Sequence, residues 1–126
     1  MEQHSNHLPP AYPAASTHRR SVFICSPFAG DIGNNTCKAI RYMRFAISNG
    51  FVPFAPHLLY PQALDEHDPC DRELGLHLGL WWLDRCDELW VFGSRITAGM
   101  ERELIEAKRL NKPVRWFTEA CTEITE

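Results

Sequence analysis

The sequence predicts an α/β protein in which a small, doubly wound parallel sheet of about four strands is flanked by helices. Short apolar runs that suit buried strands alternate along the chain with longer segments that suit helices. The resulting order β-α-β-α-β-α-β requires parallel strands, because strands joined by a helix lie side by side through right-handed crossovers.

The first half of the domain is predicted to contain two strands and one helix. Ser21–Cys25 is a short apolar run, as expected for a buried parallel strand. A glycine-containing loop follows, and Asn34 or Asn35 supplies the N-cap of a helix that runs to about Ser48. The next strand contains Pro53, which places it at a sheet edge because proline cannot donate to a strand ladder.

The second half is predicted to contain two helices and two strands. Asp68 caps a helix that ends near Arg85 and is apolar nearly all round. Such a helix is either packed on two sides or part of a subunit interface. Residues 88–92 form the third strand, and a helix from about Ala98 and a strand ending at Phe117 complete the domain.

The pattern predicts one domain, residues 21–118, between two tails. Residues 1–20 are polar and proline-rich and are interpreted as a flexible tail, and residues 119–126 form a shorter one. No apolar run approaches the ~20 residues needed to cross a bilayer, and the start of the chain lacks the apolar middle of a secretory signal. We therefore expect a cytoplasmic protein without a membrane partner.

Composition argues against several other classes. A net charge of -3 with scattered basic pairs gives no electrostatic basis for nucleic-acid binding. The 5 cysteines lack a C-x-x-C pair and suit a reduced compartment. No zinc spacing occurs among His57, His67, Cys70 and His77, so no metal or cofactor is expected, and His77 is interpreted as a core histidine. No histidine is placed to activate Cys25 as a nucleophile.

A carboxylate stands in the apolar sector of the last helix. At ~100° per residue, one arc that must face the sheet contains Met100, Leu104, Ala107 and Leu110. Glu103 falls within that arc, near the positive end of the helix and towards the edge where parallel sheets bind ligands. It is either a nucleophile or base, or a glutamate that caps its own helix or bonds a neighbouring loop.

Residues 97–103, with Ala107 and residues 111–114, resemble the S-x-G-x-x-x-E-x-x-x-A…kPV stretch of nucleoside 2-deoxyribosyltransferases and related nucleotide N-glycosidases. Residues 86–93 and the Ser-Pro-Phe that ends the first strand are similar to small deoxyribosyltransferase-like domains. The resemblance implies a flavodoxin- or Rossmann-like fold. It also implies a homodimer or higher homo-oligomer, with the apolar helix 69–85 as the contact surface.

The resemblance implies a role for Glu103 and a substrate class. In catalytic members the matching glutamate attacks the anomeric carbon, displaces the base and holds the sugar as an ester, which water or a second base resolves. Members with a hydroxyl residue at the position of Thr97 tend to act on 5'-phosphates, although Thr97 is also a plausible plain N-cap. Asp31 is a candidate helper acid by position alone.

We therefore predict cleavage or transfer of the N-glycosidic bond of a nucleotide or nucleoside, with Glu103 as the catalytic residue. The alternative is a non-catalytic module that binds a nucleotide or an ADP-ribose-type ligand. Gly30 suits either a phosphate cradle or a turn. The predicted substrate-binding residues are Ser26, Pro27, Phe28, Gly30, Asp31, His57, Ser94, Thr97, Gly99 and Met100.

Overall fold

The computed structural model describes residues 19–125. Most of the predicted N-terminal tail, residues 1–20, and the last residue of the C-terminal tail lie outside the described residues. Within the described range the elements are β1 (Ser21–Cys25), α1 (Ile32–Ser48), β2 (Val52–Phe54), α2 (Pro69–Arg85), β3 (Glu88–Phe92), α3 (Ala98–Arg109), β4 (Val114–Phe117) and β5 (Glu123–Ile124). Two 3-10 turns, Pro56–Leu58 and Tyr60–Gln62, lie between β2 and α2.

The strands form one sheet in the order β2-β1-β3-β4-β5. β1 to β4 are parallel and β5 pairs antiparallel with β4, so the predicted α/β fold with a largely parallel sheet is confirmed. The edge position predicted from Pro53 is also confirmed, because β2 pairs with β1 alone among the described strands. The sequence does not predict β5, since a strand of 2 residues is too short to show a period.

Helices cover both faces of the sheet. Successive side chains of a strand point to opposite faces, so Phe23 and Val91 pack with α2 and α3, whereas Ile24 and Phe92 pack with α1. On the α1 face, Tyr42 stacks on Phe92 with ring centroids 4.1 Å apart. Burial on both faces explains why β1 and β3 are apolar runs. The carboxyl ends of the parallel strands meet at one side of the sheet, here named the carboxyl edge.

Helix α1 begins earlier than the sequence predicts. The predicted N-cap at Asn34 or Asn35 is wrong, because Asp31 caps the helix and accepts a hydrogen bond from the Asn34 N–H at 3.4 Å. Aspartate is as good an N-cap as asparagine. The buried Asn35 instead donates its side-chain amide to the Phe28 carbonyl at 2.9 Å and so anchors the loop after β1.

Helix α2 presents much of its apolar surface to solvent. Gly79 and Leu83 are its buried residues, whereas Trp81 is 50% exposed. The prediction that His77 lies in the core is wrong: it is exposed and pairs with Glu73 at 3.0 Å. A nearly all-apolar helix gives no periodicity to show which side faces the sheet. None of the helices in residues 19–125 has the length and apolar character needed to cross a bilayer.

Candidate active site

A cavity of about 490 Å³ opens at the carboxyl edge of the sheet. Its walls are the loops after β1 and β2, the first half of α2 and the first turns of α3. Ligands of parallel α/β sheets bind at this edge, and the volume is in the usual range for small-molecule sites.

Glu103 lies in the wall of this cavity, and its position in the apolar arc of α3 is confirmed. It is 3% exposed, and its Oε1 has no hydrogen-bond partner among the described residues. Thr97, and not Glu103, caps α3. Burial raises the pKa of the Glu103 carboxyl from 4.5 to about 8, and the Cys25 thiol partly opposes this rise by hydrogen bonding. A buried carboxyl in a cavity wall, with one oxygen that lacks a partner, is a candidate for contact with a ligand.

The start of α3 forms a second part of the wall. Thr97 Oγ1 accepts a hydrogen bond from the Met100 N–H at 3.2 Å, so Thr97 is an N-cap. Thr97, Gly99 and Met100 also line the cavity. A Cβ on Gly99 would meet nothing within 4 Å, so the space beside it is open. N–H groups in the first turn of a helix have no intrahelical acceptor and favour an anion.

Phe28 and His57 form an apolar wall of the cavity. Their rings stack with centroids 4.8 Å apart and planes at 23°. His57 Nε2 lies 2.8 Å from the Ser26 carbonyl, which only accepts, so this nitrogen carries the hydrogen. Burial lowers the pKa of His57 to about 4, and the bond to Ser26 partly opposes this shift. A neutral ring thus ties the loop after β2 to the end of β1.

Five predicted substrate-binding residues do not line the cavity: Ser26, Pro27, Gly30, Asp31 and Ser94. Ser26 is buried, and its Oγ lacks a hydrogen-bond partner among the described residues. Asp31 caps α1. Gly30 has a φ of 99°, which favours glycine and supports its interpretation as a turn residue. Ser94 is exposed.

The sequence reasoning missed the contribution of α2 and the loop before it. Asp71 and Arg72 line the cavity together with Glu73, which holds the Arg102 guanidinium of α3 in two bonds of 2.8 and 2.9 Å. Arg72 forms no ion pair with any residue of the range 19–125. The rim also includes Asp65 and Glu66, so carboxylates outnumber guanidinium groups there.

The two glycines of α2, spaced four residues apart, are the sequence feature that could have predicted this wall of the cavity. A Cβ on Gly79 would lie 3.5 Å from the Pro56 side chain, and one on Gly75 would lie 3.4 Å from that of Leu64. The two glycines are one turn apart, so they share a helix face. They allow the loop after β2 to pack closely on α2, where Tyr60 accepts a 2.7 Å hydrogen bond from Trp82 Nε1 and lines the cavity.

Metal-binding clusters are absent from the described part of the chain. It contains no group of three or more His, Cys, Asp or Glu side chains that could hold a metal ion.

Similarity to known proteins covers most of the chain. Residues 20–117 match the model of a family described as a domain of unknown function, DUF7768. No curated protein sequence matches the chain significantly.

Among solved structures, the chain is similar to a 2-deoxyribosyltransferase of Bacillus psychrosaccharolyticus, with 18% identity and a TM-score of 0.64 over 84% of this chain and 77% of that one. It is also similar to a CMP N-glycosidase of Clostridium botulinum, with 13% identity and a TM-score of 0.49 over 79% of this chain and 71% of that one. The deoxyribosyltransferase likeness confirms the predicted resemblance at the level of the fold.

Proposed function

The chain belongs to the DUF7768 family, and we propose that it cleaves or transfers the N-glycosidic bond of a nucleotide or nucleoside. One observation carries this proposal. The Glu103 carboxyl is 3% exposed, has an oxygen without a partner among the described residues, and lies in the wall of a cavity at the carboxyl edge. A group that is costly to bury unpaired is retained where it has chemistry to perform.

Glu103 acts as the nucleophile in the proposed reaction. Its carboxylate forms a bond to the anomeric carbon while the bond to the base breaks, and the base leaves with the electron pair and takes up a proton from solvent. Water in hydrolysis, or a second base in transfer, then attacks the anomeric carbon, gives up a proton and releases the Glu103 carboxylate. The positive charge that develops on the sugar favours the ionised carboxylate, which offsets the rise in pKa that burial causes.

A 5'-phosphate on the substrate is the second element of the proposal. The first-turn N–H groups of α3 other than that of Met100 favour an anion, and the Thr97 hydroxyl can donate its hydrogen while its oxygen accepts from the Met100 N–H. Gly99 leaves space for close approach. Arg72 lines the same cavity and supplies a cation against the carboxylates of the rim.

A non-catalytic nucleotide- or ADP-ribose-binding module is the alternative function. The observation that favours it is the raised pKa of Glu103, about 8, which keeps the carboxyl largely protonated at neutral pH in the ligand-free protein. A protonated carboxyl donates a hydrogen bond to a ligand but does not attack carbon.

Measurement of free base separates the two functions. We would incubate the chain with ribo- and deoxyribonucleosides and their 5'-monophosphates, and follow base release by chromatography and binding by calorimetry. We expect release from at least one monophosphate, faster than from the matching nucleoside. Glu103→Gln should reduce release by ~10³-fold or more, whereas Glu101→Gln, exposed on the same helix, should not. Binding without release of base would support the alternative. The absence of both binding and release would contradict both functions.

Self-association through α2 in a reducing cytoplasm completes the proposal. Leu74, Leu78 and Trp81 on this helix are 47%, 36% and 50% exposed, and exposed apolar patches mark association surfaces. The cysteines within residues 19–125 are all free, which suits a reducing compartment. Sedimentation velocity should give a dimer or larger species, and a monomer at micromolar concentration would contradict assembly.

A further inference from the structure

The Cys25 thiol is buried beneath the Glu103 carboxyl. Cys25 ends β1 with 0% exposure, and its Sγ lies 3.9 Å from the Met100 carbonyl oxygen. At this distance a thiol makes only a weak hydrogen bond. Met100 precedes Glu103 by one helical turn, and the same thiol interacts with the Glu103 carboxyl. The thiol is therefore shared between a weak carbonyl acceptor and the carboxyl.

Other titratable groups that line the cavity already have hydrogen-bond partners or lie at its rim. His57, from the loop after β2, donates its Nε2–H to Ser26. On α2, Glu73 is held by Arg102, and Asp71 accepts from the Asp65 N–H at 2.8 Å. Arg72 is exposed at the rim, whereas Glu103 Oε1 is fully buried. The Cys25 thiol, which is buried as well, is a donor that interacts with the carboxyl.

We propose that Cys25 is a positioning residue for Glu103: when the carboxyl ionises, the thiol hydrogen turns from the Met100 carbonyl to the Glu103 carboxylate. This inference rests on the proposed function for its catalytic meaning. The proposed change is a rotation of the thiol hydrogen, and no proton leaves the sulfur. The thiol thus gives a hydrogen bond to a buried negative charge.

The thiol is suited to donate and not to react. Burial raises the pKa of Cys25 well above 9.0, and the nearby Glu103 raises it further. The sulfur therefore keeps its hydrogen through the pH range in which Glu103 titrates, about 8. This agrees with the sequence-based expectation that Cys25 is not a nucleophile.

Direct titration of the Glu103 carboxyl tests the proposal without substrate. The protein would be labelled with glutamate carrying 13C at the side-chain carboxyl, the signal assigned with Glu103→Gln, and its shift followed against pH by NMR. Cys25→Val keeps the size but removes the donor, and should raise the midpoint by about one pH unit, or about tenfold less carboxylate at a fixed pH. Cys25→Ser keeps a donor and should leave the midpoint at or below that of the wild type.

An unchanged midpoint in a folded Cys25→Val protein would overturn the proposal, and Cys25→Ala provides the same comparison if valine does not fit. If the thiol were merely structural, all three substitutions would lower stability. The titration midpoint would then not differ between Cys25→Ser, which keeps a donor, and the two variants that lack one. With base release as the readout, the Cys25→Val pH profile should shift upward and recover at higher pH. If the titration shifts but no base is released, the proposed function fails while the contact stands. If base is released but the titration does not shift, the positioning role of Cys25 fails while the proposed function stands.

Discussion

Two buried glutamates at opposite ends of the sheet differ in how they are satisfied. Glu88, 8% exposed at the start of β3, accepts hydrogen bonds from Arg20 Nε and Trp90 Nε1, both at 2.8 Å, and has Arg115 at 3.8 Å. Glu103, 3% exposed, has the Cys25 thiol beside it and an Oε1 without a partner among the described residues. Burial alone therefore does not distinguish the two carboxyls; the number of hydrogen-bond partners does, and the proposed function rests on the carboxyl that has fewer.

The two ends of the sheet differ in the same sense. At the amino ends of the strands, Asp87 accepts the Ser21 N–H at 2.7 Å, and its own N–H donates to Ser21 Oγ at 2.9 Å. This pairing gives Asp87 a structural role, because it joins the first residue of β1 to the residue before β3. At the carboxyl edge the loops diverge to form the cavity. Polar side chains at the amino ends are paired with one another, whereas Ser26 Oγ and Glu103 Oε1, near the carboxyl edge, have no partner among the described residues.

The largest expected effect is on the pH dependence of stability. The pKa of Glu103 is raised from 4.5 to about 8 in the folded chain, so the unfolded chain ionises first. Burial of the carboxyl therefore does not lower the free energy of unfolding below pH 4.5. It lowers this free energy increasingly as the pH rises to 8. Since one pKa unit is about 1.36 kcal/mol, the upper limit is ~5 kcal/mol. Relative to wild type, Glu103→Gln should gain free energy of unfolding between pH 5 and pH 9 in urea titrations.

The difference between the wild type and Glu103→Gln does not contain the titration of His57, which is also buried. The pKa of His57 is lowered from 6.5 to about 4, so its contribution to stability is lost as the pH falls through that window. Both proteins contain His57, and its effect cancels in their difference. A difference that does not change with pH would mean that Glu103 is solvated or paired in solution.

A smaller effect of opposite sign is expected at the amino ends of the strands. Glu88→Gln keeps the shape but weakens the bonds from Arg20 and Trp90, and should lower the free energy of unfolding by ~1–3 kcal/mol. The lower part of this range is expected because the Arg20 side chain is 49% exposed. Base release, once established, should persist in this variant. Stabilisation by Glu88→Gln at pH 8 would break the contrast between the two glutamates.

The smallest effect concerns the two helix caps next to the cavity. Thr97→Ala and Asp68→Ala each remove an N-cap acceptor, from the Met100 and Cys70 N–H groups, and each should cost ~1 kcal/mol by thermal unfolding. Of the two caps, Thr97 lines the cavity. Thr97→Ala should therefore also weaken monophosphate binding more than nucleoside binding. Equal effects of the two substitutions on binding would mean that Thr97 only caps α3 and does not contact the phosphate.

Local features of the sequence could predict much of this structure. The apolar runs of β1 and β3 and the position of Glu103 depend on periodicity, which near neighbours determine. The contact between Cys25 and α3 joins residues 75 positions apart at Met100, and no local pattern reports it. Similarly, the apolar composition of α2 conceals which side lines the cavity, so Arg72 was not predicted as a site residue.

Both margins of the sheet resist the addition of further strands. Pro53 in β2 lacks the N–H that a new partner would need, and β5, at the other margin, is only 2 residues long. Next to β5, Arg115 binds Glu123 in two bonds of 2.9 and 2.8 Å, which adds charge there. Such edges protect a folded chain from strand-exchange aggregation and fibril growth. The chain should therefore tolerate high concentration without forming cross-β deposits.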